Sequence, residues 1–174
     1  MATLTAFRFD TVDGADNALG VISMLQEQEL IAILDAALVS WPKGKTRPRT
    51  RQIVWPTRTQ LLDGTFWGML FGLIFFVPVL DTRRAETDRL TSALSDVGID
   101  DTFIYQVRSR LTEGTSALFV LSPDAVMDRI NDASKGRRKP DLIAINLPHD
   151  EEMKLRNLFG PASTPPPRAP ISTS

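Results

Sequence analysis

The chain has 174 residues, 43% of them hydrophobic, enough to bury one core of ordinary domain size. Its 20 basic and 21 acidic residues leave a net charge of −1, which excludes a surface built throughout for nucleic acid. There is no cysteine, so disulfides, thiol catalysis and cysteine-ligated metals are excluded, and the composition fits a reducing compartment.

The first ten residues lack a basic segment followed by a long apolar stretch, so no secretory signal is expected. Residues 3–9 (TLTAFRF) alternate apolar and polar positions, which predicts a strand. Residues 10–13 form a turn and cap. Residues 15–30 carry Ala18, Leu19, Ile22, Leu25 and Leu30 at helical spacing and read as an amphipathic helix. The apolar run 31–41 (IAILDAALVSW) reads as a buried strand. Residues 42–51 (PKGKTRPRTR) read as a turn, and 52–55 (QIVW) as a short return strand stopped by Pro56. The first third is thus expected to be β-α-β-β, half of a ferredoxin-like split unit.

The composition then changes. Residues 64–80 (GTFWGMLFGLIFFVPVL) carry no charge. Residues 86–97 read as a helix with Leu90, Ala93, Leu94 and Val97 on one face, ended by Gly98. Asp100 or Asp101 caps a further helix over 102–111. Strands are predicted at 115–121 (TSALFVL) and 141–147 (DLIAINL). Between them Ser122 or Asp124 caps a short helix to about Lys135. A charged helix is predicted over 149–159. The expected class is α+β: a ferredoxin-like antiparallel sheet, helices on one face, with a glycine-containing apolar helical hairpin inserted at about 59–97. One domain spans 1–160. Residues 161–174, rich in Pro, Ser and Thr, are expected to be a disordered tail.

Gly64, Gly68 and Gly72 are spaced four apart and fall on one helical face, where a second helix can approach closely. Each glycine costs a helix about 1 kcal/mol relative to alanine, so three together call for a compensating contact. With Trp67, Phe71 and Phe75 beside them, they are the candidate helix-packing residues. A membrane span needs about 20 apolar residues, and Pro78 shortens this run. A single crossing would also leave the two halves of the sheet on opposite sides of the bilayer. An interfacial or re-entrant hairpin, or burial between subunits, keeps the sheet intact.

Lys43, Lys45, Arg47, Arg49 and Arg51 follow one another with no acid among them, and Arg58 lies just beyond. They are candidates for contact with anionic lipid or phosphate and would place this side in the cytoplasm. The plainer role for such a hairpin is to blunt a sheet edge. Aromatic interleaving is limited to Trp41 and Trp55, so no nucleic-acid platform is expected. Asp96, Asp100 and Asp101 cluster, but capping accounts for the last two. His149, the only histidine, is expected at the surface. No Gly-rich phosphate loop occurs. Neither catalytic residues nor a metal or cofactor are expected.

Four segments in this order resemble a bacterial and archaeal family, the domain of unknown function numbered 1269, often described as predicted membrane proteins. They are AFRFDTVDGADNAL with LQEQELIAILDAALV, then GTFWGMLFGLIFF, LSDVGIDDTFI and LTEGTSALFVL. The resemblance runs from about Thr3 to Leu147. It implies a ferredoxin-like sheet interrupted by a glycine-rich apolar hairpin, and no known reaction. In the family the second hairpin helix tends to be apolar too. Here it reads DTRRAETDRLTSALSDVG, which favours a glycine helix covered by protein. The expected function is that of a non-enzymatic, self-associating protein, membrane-associated on the cytoplasmic side. The alternative is a soluble cytoplasmic homo-oligomer, a ligand-binding or sensory module with that helix buried between subunits.

Overall fold

The computed structural model describes residues 2–53, 64–76, 84–123 and 141–159. The predicted helix after Ser122, the tail, the start of the inserted hairpin at about 59 and its connection over 77–83 lie outside these residues. Five strands form one antiparallel sheet in the order β3-β2-β4-β1-β5. They are β1 (Ala2–Phe9), β2 (Asp35–Ser40), β3 (Arg49–Gln52), β4 (Ser116–Pro123) and β5 (Asp141–Leu147). β4 lies between β1 and β2 and is antiparallel to both, so β1 and β2 run parallel, joined by α1 (Gly14–Glu27).

The central strand explains the layers. In β4, Ala117, Phe119 and Leu121 point to one face and Leu118 and Val120 to the other, and all five are fully buried. A strand apolar on both sides needs cover on both sides. α1 covers the second face through Ala15, Ile22 and Leu25, with Ile31 and Ile33. On the first face lie α2 (Gly64–Phe71), α3 (Arg84–Asp96) and α4 (Asp101–Arg110), together with Leu155 of α5 (His149–Phe159). The expectation of helices on a single face is therefore corrected.

Two boundaries also move. The return strand is Arg49–Gln52, upstream of the predicted 52–55. Ladder bonds use backbone groups, and at a sheet edge the arginine side chains stay solvated, so the charge does not prevent pairing. The first helix stops at Glu27, before the predicted Leu30. Glu29 takes φ 58° and the Leu30 amide bonds back to the Leu25 carbonyl, turning the chain toward β2. β2 itself begins at Asp35, because Ile31 and Ile33 pack under α1 before the ladder starts.

The turn between α3 and α4 follows from Gly98, which takes φ +93°. Its amide bonds to the Ser95 carbonyl at 3.0 Å and the Ile99 amide to the Leu94 carbonyl at 2.9 Å, a glycine C-terminal cap. Two residues on, the Asp100 carboxylate accepts the Phe103 amide at 3.0 Å and caps α4.

Candidate functional site

α2 presents two unlike sides. Phe66, Trp67, Leu70 and Phe71 are buried, as are Leu73, Ile74 and Phe75 in the turn that follows. They meet Phe119 on β4: Phe71 lies 5.1 Å from it edge-on, and Trp67 stacks on Phe71 at 5.8 Å. Such aromatic pairs add about 0.5–1.5 kcal/mol each to the burial of their area. The outer side carries Thr65 and Gly68, both exposed, with Met69 and Gly72 half-buried. Among the described residues, no atom comes within 4 Å of a Cβ built at Gly68 or Gly72. The six candidate helix-packing residues thus divide. Trp67, Phe71 and Phe75 pack inside the chain, Gly68 and Gly72 face out, and Gly64 is the first residue of the helix.

Residues Gly72–Phe76 widen into a π-helical turn. A helix end leaves carbonyls without intrahelical partners. Arg108 of α4 supplies them: Nη2 donates to the Leu73 carbonyl at 2.6 Å and Nε to the Ile74 carbonyl at 3.1 Å. A cation at the negative end of a helix is also electrostatically favoured.

Beneath α2 sits a carboxylate that the sequence reading passed over. Asp35 is only 1% exposed. The Trp67 Nε1–H donates to its Oδ1 at 3.2 Å, the Gln52 Nε2–H at 3.3 Å and the Ala36 amide at 2.8 Å. A buried carboxylate is tolerated only with such donors. Its signal was a lone Asp inside the apolar run IAILDAALVSW. Asp35 ties the edge strand, the sheet and the inner side of α2 together.

The basic hairpin lies between β2 and β3. Gly44 takes φ +82°, a conformation that favours glycine. The Trp41 Nε1–H donates to the Lys45 carbonyl at 2.8 Å, closing the loop. The Gly44 amide donates to Glu113 Oε2 at 3.3 Å. Arg51 pairs with Asp16 of α1 at 3.0 Å. Lys43, Lys45, Arg47 and Arg49 are exposed. Trp41 joins the two sets of candidate residues, since its other edge meets Phe75 at 6.0 Å.

Elsewhere, His149 is exposed at the start of α5. Burial works to raise the Glu152 carboxyl, but Arg156, at 3.0 Å, holds it below its ordinary value. Among the described residues no three His, Asp or Glu side chains converge as a metal site. Among the same residues no helix is long and apolar enough to cross a membrane.

No curated protein and no solved structure matches the chain. A family described as "protein of unknown function (DUF1269)" matches residues 61–160. That stretch includes α2 through α5 with β4 and β5, and the two N-terminal segments that carried part of the resemblance precede it. It is 100 of the 174 residues (160 − 61 + 1), so the chain belongs to the DUF1269 family.

Proposed function

We propose that this chain is a non-enzymatic, self-associating protein in which the outer side of α2, around Gly68 and Gly72, receives a helix of a second copy. One observation carries the reading: the glycines point away from the core, where nothing among the described residues touches them. Fold stability alone favours alanine over glycine in a helix by about 1 kcal/mol per position. Close approach of a second backbone supplies the missing reason. The ferredoxin-like reading of the sheet belongs to the same proposal. It is supported by the order β5-β1-β4-β2, in which β3 is an added edge strand. The inserted hairpin is supported by Leu94 of α3, and Val97 in the turn after it, sharing the cluster of α2.

The test is Gly68→Leu, with mass measured by light scattering. Association is expected to be lost while the circular dichroism spectrum is kept, and an unchanged oligomer mass refutes the proposal. A second reading, peripheral contact with a membrane on the cytoplasmic side, is supported by the exposed cations of the hairpin. Flotation with vesicles containing phosphatidylserine tests it, and protein left at the bottom of the gradient with vesicles above counts against it.

A further inference from the structure

The net charge of −1 conceals two poles. The first is the hairpin, where Lys43, Lys45 and Arg49 are exposed. Among the described residues none of the three has an ion-pair partner. The second is a corner formed by the α3–α4 turn and the start of α5. Gly98 lies against Glu151 and Leu147 there, so the turn flanked by exposed Asp96 and Asp101 meets the helix start that carries exposed Asp150 and half-buried Glu151. Among the described residues these four also lack a basic partner within ion-pair distance.

The register places the poles at opposite corners of the sheet. The hairpin leaves β2 at Ser40, in the row that continues through Ser116 to Phe9. The acidic corner follows Leu147, which pairs with Ala2 at the other end of β1. From β3 to β5 is four strand spacings, about 19 Å, and from Phe9 to Ala2 is seven residues, about 23 Å. The diagonal is roughly 30 Å, and the Debye length at physiological salt is about 8 Å. The poles cannot neutralise one another within a copy. α4 follows the same polarity, with Asp101 in its first turn and Arg108 and Arg110 in its last.

We infer that the Lys43, Lys45 and Arg49 hairpin of one copy docks on the Asp96, Asp101, Asp150 and Glu151 corner of a second copy. The inference rests on the self-association reading and adds a second contact to it, distinct from α2. Different patches meet, so the contact is head-to-tail and builds rings or open chains instead of a twofold dimer. The occupant is a second copy because the complementary surface is present on the chain itself, three exposed cations at one corner and a group of carboxylates at the other.

The test uses the full chain and two variants: Lys43→Glu with Lys45→Glu and Arg49→Glu, and Asp96→Lys with Asp101→Lys and Asp150→Lys. Each is checked for folding by circular dichroism. Mass is read by sedimentation equilibrium in 0.1 M and 1 M salt, between which the Debye length falls from about 10 Å to about 3 Å. The dissociation constant of the native chain should rise about tenfold or more over that range. Each variant alone should associate at least about tenfold more weakly and without dependence on salt, keeping only the α2 contact, and an equimolar mixture of the two should regain the native strength, because each then offers what the other needs. The native salt series holds the inference to account even where a variant fails to fold. An oligomer insensitive to salt and to both charge reversals overturns the docking and leaves the α2 contact standing. A native chain that is monomeric in all conditions overturns both. A monomer that floats with phosphatidylserine vesicles, and whose hairpin variant does not, assigns the hairpin to lipid and likewise overturns the docking.

Discussion

Gly68→Ala separates stability of the fold from association, because the two should move in opposite directions. Alanine exceeds glycine in a helix interior by about 1 kcal/mol. No described atom stands within 4 Å of the added methyl, so no clash subtracts from that gain. The monomer should therefore be stabilised by about 0.5–1 kcal/mol, or roughly 1–4 °C in melting temperature for a chain of this length. Melting is followed by circular dichroism at dilutions where the chain is monomeric, since assembly itself raises apparent stability. At higher concentration the same variant should associate more weakly than the native chain, and Gly68→Leu more weakly still. Gly14→Ala is the control of opposite sign. Its methyl would run into Phe9 Cβ, so something must shift and the melting temperature should fall. If Gly68→Ala melts lower than the native chain at dilution, the chain covers that position itself and the case for a docking face on α2 fails.

Three further outcomes follow from the same geometry. Trp67→Phe removes the indole donor to buried Asp35 and should lower stability by about 1–3 kcal/mol, read as a shift in urea midpoint; an unmoved midpoint would show that the bond contributes nothing. Arg108→Met keeps the aliphatic stem but removes both guanidinium donors to the Leu73 and Ile74 carbonyls, at a cost of about 1–2 kcal/mol. Amides of the π-helical turn should then exchange faster with solvent, and equal exchange rates would contradict the capping role. The Glu152 carboxyl lies below its ordinary 4.5 in the folded chain, so its contribution is complete above that value and is lost as pH falls through the folded value. Glu152→Gln should flatten the acid side of the stability profile, and an identical profile in the variant would refute the assignment.

Much of the architecture is legible in local pattern. Alternation in TLTAFRF gives β1, and the uninterrupted apolar run ALFVL in β4 reports burial on both faces, although cover on one face was the expectation. The DVGIDD stretch spells out a glycine stop and an aspartate cap, and both are found at Gly98 and Asp100. The edge strand was harder. RTRQ carries too little apolar character for a strand pattern, and its pairing is fixed by β2 alone. Asp35 was illegible for a different reason. Its side-chain donors Gln52 and Trp67 come from β3 and α2, 17 and 32 residues away, so the sequence offers only an unexplained carboxylate in an apolar strand. Arg108 is similar: its partners are backbone carbonyls of a turn whose π geometry no residue pattern announces.

The apolar stretch that suggests a membrane has a sufficient explanation inside the fold. The face of the sheet opposite α1 exposes Leu4, Ala6, Val39, Ala117, Phe119 and Leu121, and without cover that surface would meet water. Phe66, Trp67, Leu70, Phe71 and Ile74 supply the cover. Neither lipid nor a partner is needed to account for those side chains, because each is already buried by its own chain. The same argument does not absorb the glycines. A helix that only roofs a sheet gains from alanine in place of glycine on its outer side, and among the described residues a Cβ added at Gly68 or Gly72 would meet no obstacle. What remains after the fold has been satisfied is thus the pair of outward glycines, which is why association is tested by substitution on the outer side of α2.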